Sequence, residues 1–72
     1  MDPLEFRLRD EHVVLCDLLK LAGIADSSGQ GKHMVAHGDV TVDGRPESRK
    51  TAKIRAGQTV RCLGRTVRVV AG

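Results

Sequence analysis

The sequence predicts an α+β domain in which two short packed helices lie against a small, mostly antiparallel sheet. Three patterns lead to this. Ser27 to Gly44, SSGQGKHMVAHGDVTVDG, reads as a capped helix, a glycine stop, a strand and a tight turn. Leu15, Leu18, Leu19 and Ala22 recur at the spacing of a buried helix stripe. Thr59 to Val70 alternates apolar and polar residues around a glycine, the pattern of a half-buried hairpin.

Leu4, Phe6 and Leu8 alternate with Glu5 and Arg7, which predicts a short strand with one buried face. Asp10 to His12 reads as a turn, with Asp10 a candidate helix cap. The first helix is expected from about Val13 to Ala22, its stripe widened by Val14 and Leu21 and ended by Gly23. Ile24 and Ala25 leave a short connection, so the two helices must pack closely at an angle.

In the second helix, Ser27 and Gln30 have capping-box spacing: the serine oxygen accepts an orphan N–H and the glutamine reaches back. Gly31, Met34 and Val35 face inward, while Lys32, His33 and His37 face away. Gly38 supplies the left-handed stop. Val40 and Val42 flank Thr41 in a strand, and Asp43-Gly44 is a type I′ hairpin signal.

Pro46 cannot donate to a ladder, so Arg45 to Glu47 lies at an edge or leaves the sheet. Ser48 to Ala52 reads as a loop, Lys53 to Arg55 as a brief strand with Ile54 inward, and Ala56 to Gln58 as a turn. Strands from Thr59 to Leu63 and Thr66 to Val70 are expected to join through Gly64-Arg65. That register sets Arg61 opposite Arg68, a like-charge pair that a phosphate would relieve and that hydrated arginines can also tolerate by splaying apart.

With 72 residues the chain suffices for one domain, 1–72. A domain of this size buries only about 60% of its unfolded surface, so its core must be simple. An apolar fraction of 40% fits a folded protein, and no apolar run approaches membrane-spanning length. Asp2, Glu5, Arg7, Arg9, Asp10 and Glu11 exclude a signal-peptide apolar region at the N-terminus, and a cytoplasmic location is expected. Cys16 and Cys62 match no zinc pattern and read as reduced, buried thiols.

The net charge of +3 is unevenly spread. Residues 1–31 hold three basic and six acidic groups, whereas 32–72 hold nine basic and three acidic. This asymmetry points to a polyanion-binding face, although a basic surface also serves solubility. Phe6 is the sole aromatic residue, so base stacking on rings of the kind used by single-strand binders is not available. A nucleic-acid partner would be gripped through phosphates and shape, as with folded RNA.

Other chemistry fails on detail. Gly31-Lys32 lacks the preceding phosphate-loop glycine, because Asp26 stands there, and His33 replaces the Ser or Thr that should follow. His33 and His37 are one helical turn apart, but spacing places no third metal ligand beside them. They can also touch phosphate, most strongly when the imidazole is charged. Asp17 and Asp39 read as lone surface carboxylates, and no catalytic constellation or cofactor motif is present. Two helices joined through Gly23 also fit a helix-turn-helix presenting Gln30, Lys32, His33 and His37, but the short second helix runs straight into a hairpin.

Leu15, Leu19, Gly23, Ser27, Lys32, Val35, Gly38, Val40, Val42 and Asp43-Gly44 together form a pattern that runs without a gap from Val14 to Gly44. This stretch resembles the RNA-binding domain named after ribosomal small-subunit protein S-four, the αL motif. The flanks, with Phe6 in a leading strand and Gly57-Gln58-Thr59-Val60 in a closing one, are similar to the small stand-alone YbcJ-like group. The resemblance implies two packed helices against a curved sheet, and binding of structured RNA through the second helix, its approach and the adjacent hairpin. By position it implies that Lys32 and His33 are basic helix positions, that Arg45 follows the turn, and that Arg49 and Lys50 match a basic pair. Ser28 stands where the family usually has arginine, which weakens the phosphate grip, and Cys16 stands where it often has aspartate.

The expected function is therefore non-enzymatic binding of structured RNA, ribosomal or transfer RNA being candidates, by a monomer without cofactor, metal or membrane contact. Lys32, His33, His37, Arg45, Arg49, Lys50 and Lys53 are the candidate RNA-binding residues. The alternatives are a protein-interaction module on a ribosome-associated factor and a helix-turn-helix-like DNA binder.

Overall fold

Val40, Val60, Val67 and Val69 are wholly withdrawn from solvent, and the strands that carry them form the centre of the molecule. A computed structural model describes residues 4–72; Asp2, counted above among the N-terminal charges, lies outside the described residues. In chain order the elements are β1 (Leu4–Arg7), β2 (Val13–Val14), α1 (Leu15–Leu21), α2 (Ser28–Ala36), β3 (Val40–Val42), β4 (Arg45–Pro46), β5 (Lys53–Ile54), β6 (Thr59–Cys62) and β7 (Arg65–Val70). Five strands form one sheet in the order β1-β7-β6-β3-β4. β1 runs parallel to β7, and the other neighbours are antiparallel. β2 and β5 form a separate antiparallel pair, with Val13 opposite Ile54 and Val14 opposite Lys53.

The core lies between one face of the large sheet and the two helices. Leu15, Leu18 and Leu19 from α1 and Val35 from α2 are fully buried against the central valines, with Ile54 closing one end. Each such leucine is worth about 1.5–3 kcal/mol over its exposed state. The opposite face of the sheet carries Thr41, Thr59, Arg61, Thr66 and Arg68, none of them buried. Cys16 and Cys62 are both free and buried, as expected of small hydrophobic thiols. No helix among the described residues is long and apolar enough to cross a membrane.

Both helices stop by the same device. Gly23 (φ +78°) and Gly38 (φ +85°) are left-handed. Gly23 N–H donates to Lys20 and Ile24 N–H to Leu19, while Gly38 N–H donates to Val35 and Asp39 N–H to Met34. These paired bonds satisfy the last carbonyls of each helix.

Several expectations are corrected. α1 begins at Leu15, not Val13, because Val13 and Val14 are extended and pair with β5. Its N-cap is Val14, with no side-chain cap, so Asp10 does not fill that role. The first N–H groups find carbonyls instead: Leu15 donates to Ala52 at 2.9 Å and Cys16 to Lys50 at 3.2 Å. Leu21 does not widen the buried stripe; it is 62% exposed. In the last hairpin the loop is Leu63-Gly64, both left-handed (φ +50° and +78°), rather than Gly64-Arg65. The register moves by two residues, so Arg61 faces Thr66 and Arg68 faces Thr59. A slip of two keeps every side chain on its face, which preserves the buried pattern while removing the direct Arg61–Arg68 pair. Arg45-Pro46 does pair with β3, at the outer edge where proline is tolerated.

Candidate nucleic-acid interface

α2 is fixed at its start by Ser27, whose extended backbone (φ −153°, ψ 166°) turns its Oγ to accept from Gln30 N–H at 3.1 Å. The Gln30 side chain reaches back as expected, one residue further, and accepts from Asp26 N–H. Ser28 Oγ donates to Asp17 at 3.0 Å, tying the first turn of α2 to α1. Asp17 is therefore not a lone carboxylate: it is held by Ser28.

Gly31, Met34 and Val35 are buried. Gly31 sits so close to α1 that a Cβ there would lie 2.7 Å from the Cys16 carbonyl oxygen. With that side of α2 sealed, Lys32, His33 and His37 share the exposed face with Gly29 and Ala36. The two small residues leave the three cationic or ionisable side chains uncovered. Among the described residues no group of three or more His, Cys, Asp or Glu is gathered to hold a metal.

The turn after β3 is held just as firmly. Asp43 and Gly44 are left-handed (φ +53° and +83°), as a type I′ turn requires. Asp43 N–H donates to the Thr59 carbonyl at 2.8 Å. Its carboxylate accepts from Thr59 N–H at 2.9 Å and from Gln58 Nε2 at 3.4 Å. Gln58 in turn accepts from Arg55 N–H at 2.7 Å. One carboxylate thus joins the hairpin turn to the turn before β6.

Beside this joint lies a polar recess of about 570 Å³, lined by Arg45, Arg49, Asp43, Glu47 and Gln58 among others. Arg49 Nη2 donates to Glu47 Oε1 at 3.2 Å, the only ion pair among the described residues. The arginine side chain is 79% exposed and the glutamate 18%. With its arginine end so open to water, the pair is worth at most about 1 kcal/mol, so Arg49 can be drawn to another anion. Glu47 is anchored independently, because its N–H donates to Val40 and its other carboxylate oxygen accepts from Ser48 N–H.

Cys16 links the two halves. Its carbonyl lies against Gly31 of α2, and its N–H donates to the Lys50 carbonyl. The loop that carries Arg49 and Lys50 and the helix that carries Lys32 therefore meet on opposite sides of one residue. Lys50 is exposed at this junction. The structure thus brings Arg45 and Arg49 into one recess and sets Lys32, His33 and His37 on one helix face, while Lys50 is exposed on the loop whose carbonyl meets α1. Lys53 does not line the recess; it is placed by its pairing with Val14 on the small ladder. Sequence reasoning did not name Gln58 as part of the site, and it read Ser28 only as a missing phosphate contact. The glutamine could have been flagged by its place after a turn glycine, whereas nothing in the sequence pairs Ser28 with Asp17.

Several known proteins are similar to this chain in sequence and fold. A family model described as the S4 domain matches residues 6–70. YbcJ of Escherichia coli (strain K12) is 57% identical over 60 residues, covering 83% of this chain and 86% of that protein. YbcJ of Shigella flexneri matches to the same extent. The solution structure of the E. coli YbcJ, described as an αL motif involved in RNA-binding, superposes with a TM-score of 0.76 at 50% identity over 99% of this chain and 91% of that one. The 30S ribosomal protein S4e from Thermoplasma acidophilum shares the fold, with a TM-score of 0.60 at 24% identity over 81% of this chain and 31% of the larger one. The family match spans nearly the whole chain, and the chain belongs to the S4 domain family.

Proposed function

We propose that this chain is a non-enzymatic, cytoplasmic RNA-binding domain that recognises folded RNA by its backbone and shape. Lys32, His33 and His37 of α2, Arg45 of the hairpin and Arg49 and Lys50 of the following loop contact phosphates and sugars, with Lys53 at the margin. The observation that carries this reading is the junction at Cys16, where backbone packing holds two elements together: the helix that bears Lys32, His33 and His37, docked through its buried side at Gly31, and the loop that bears Arg49 and Lys50. Surfaces fixed in this way fit the geometry of a preformed RNA rather than moulding to single strands. With one half-exposed aromatic ring, discrimination between bases is small and discrimination between shapes is large. One domain suffices for the contact, and ribosomal and transfer RNA are the candidate classes. The αL relative described as involved in RNA-binding supports the same conclusion.

The test is Lys32→Glu combined with Arg49→Glu, both exposed positions. The variant is expected to keep its fold by circular dichroism and to lose retention of structured RNA. Binding of the native chain is expected to fall steeply with salt, with a log–log slope of about −4 to −5 if roughly five phosphates are neutralised. Undiminished RNA binding by the folded double variant would move the site elsewhere. Recovery of the same partners from extract after ribonuclease treatment would favour protein docking instead.

A further inference from the structure

We infer that β1 is a self-association edge, at which a second copy of this chain pairs antiparallel about Phe6. Among the described residues β1 has one neighbour, β7, so its other margin offers unpaired backbone groups. Leu8 N–H donates inward to Val70 at 3.0 Å. Backbone groups alternate in direction along a strand, so those of Glu5 and Arg7 point outward, away from β7.

This parity restricts the register. An antiparallel partner using the outward groups of Glu5 and Arg7 can set Glu5 against Glu5, Arg7 against Arg7, or Glu5 against Arg7. The first two place like charges directly opposite and are disfavoured. The third forms the Glu5–Arg7 pair twice, once on each side of a two-fold axis. Phe6 then faces the partner's Phe6 at the axis, and Leu4 faces the partner's Leu8. The Phe6 position is a non-hydrogen-bonded one, where strands bring side chains closest and two rings can pack. The segment Leu-Glu-Phe-Arg-Leu is complementary to its own reversed copy in charge and in apolar character.

The surface beside the edge fits the same occupant. Beside β1 lies a groove of about 370 Å³ whose lining joins Phe6, Leu8, Val13 and Leu21 to charged neighbours that include Glu5 and Arg7. Leu21 is 62% exposed and Leu4 44% exposed, and Phe6 is only partly buried. The added strand places the partner's Phe6 and Leu4 on the Phe6 side of β1, while both Glu5–Arg7 pairs lie on the other. The interface is small, which makes the pairing weak and concentration-dependent. The expectation of a monomer then holds only for dilute protein.

The experiment is a charge swap read by sedimentation equilibrium from micromolar to millimolar protein. The native chain is expected to self-associate reversibly toward a dimer. R7E and E5R are each expected to weaken this at least about tenfold, because each turns both symmetric pairs repulsive. Mixing R7E with E5R is expected to restore a heterodimer of near-native affinity, since every pair is again of opposite sign. R7E lies beside Val70 and disturbs no charge within the sheet, whereas E5R meets Arg68 on β7. Amide dispersion checks that each is folded, and R7E alone decides the question if E5R is not. A native chain that stays monomeric throughout, an R7E variant that associates like the native chain, or a mixture of folded variants that stays monomeric would overturn the proposal.

Discussion

Replacing Gly31 with alanine should destabilise the domain although alanine is the better helix former. The new Cβ would lie 2.7 Å from the Cys16 carbonyl oxygen and 3.3 Å from that residue's Cα and carbonyl carbon. These are backbone atoms of α1, so relief requires the two helices to move apart rather than a side chain to rotate. Overpacking of this kind costs about 1–3 kcal/mol. The same substitution at Gly29 meets only Ser27 Oγ, at an ordinary 3.7 Å. Relief of glycine's backbone entropy, about 0.5–1 kcal/mol, acts in the same direction at both positions. The comparison between Gly31→Ala and Gly29→Ala therefore isolates the close approach, with an expected gap of about 1–3 kcal/mol. For a domain of this size each kcal/mol corresponds to about 4–8 °C in Tm. Urea unfolding of both variants at constant m value measures the gap directly. If Gly31→Ala proves as stable as Gly29→Ala, the helices do not meet at Cys16 as described. RNA affinity should fall in Gly31→Ala as well, since displacing α2 separates Lys32 from the loop held by Cys16.

Two further outcomes follow from the hydrogen bonds and the buried thiols. Asp43→Ala removes the acceptor for Thr59 N–H and Gln58 Nε2 and puts alanine at φ +53°, so a loss of about 1–2 kcal/mol is expected by thermal unfolding. Asp43→Asn, which tolerates that backbone and keeps an acceptor, should lose less. Burial, and secondarily the Asp39 carboxylate, push the Cys62 thiol above its usual 9.0. A thiol raised in the folded state contributes stability fully below the unfolded pKa and loses it as pH rises through the folded value. Stability against urea should therefore decline above pH 9.0, and Cys62→Ala should flatten that decline.

The parts of the fold legible in the sequence are those with local causes. Ser27, Gln30 and Gly38 delimit α2, and its buried and exposed faces follow from helical periodicity. Asp43-Gly44 forms the turn that its dipeptide favours. The parallel pairing of β1 with β7 joins opposite ends of the chain and has no short-range signal. Val13 and Val14 fit a helix stripe in composition, and only the arrival of β5 makes them extended. In the last hairpin the left-handed position falls on Leu63, a residue type that rarely adopts it, so turn chemistry alone pointed one residue too far. The polar face of α2 was readable because Lys32, His33 and His37 lie opposite a periodic core stripe. The docking of the Lys50 loop onto α1 was not, because it depends on backbone carbonyls that any residue could supply.

The sheet order puts β1 at one margin and β4, with Arg45, at the other. Two copies joined through β1 would therefore form a continuous ten-stranded platform, with a claw made by Arg45 and Arg49 at each far end. An RNA able to reach both claws would be held with the avidity of a bivalent grip, the second contact being made at high effective concentration. An RNA too short to span the platform would gain nothing from it. The length of the ligand, rather than its base sequence, would then decide which RNAs remain bound.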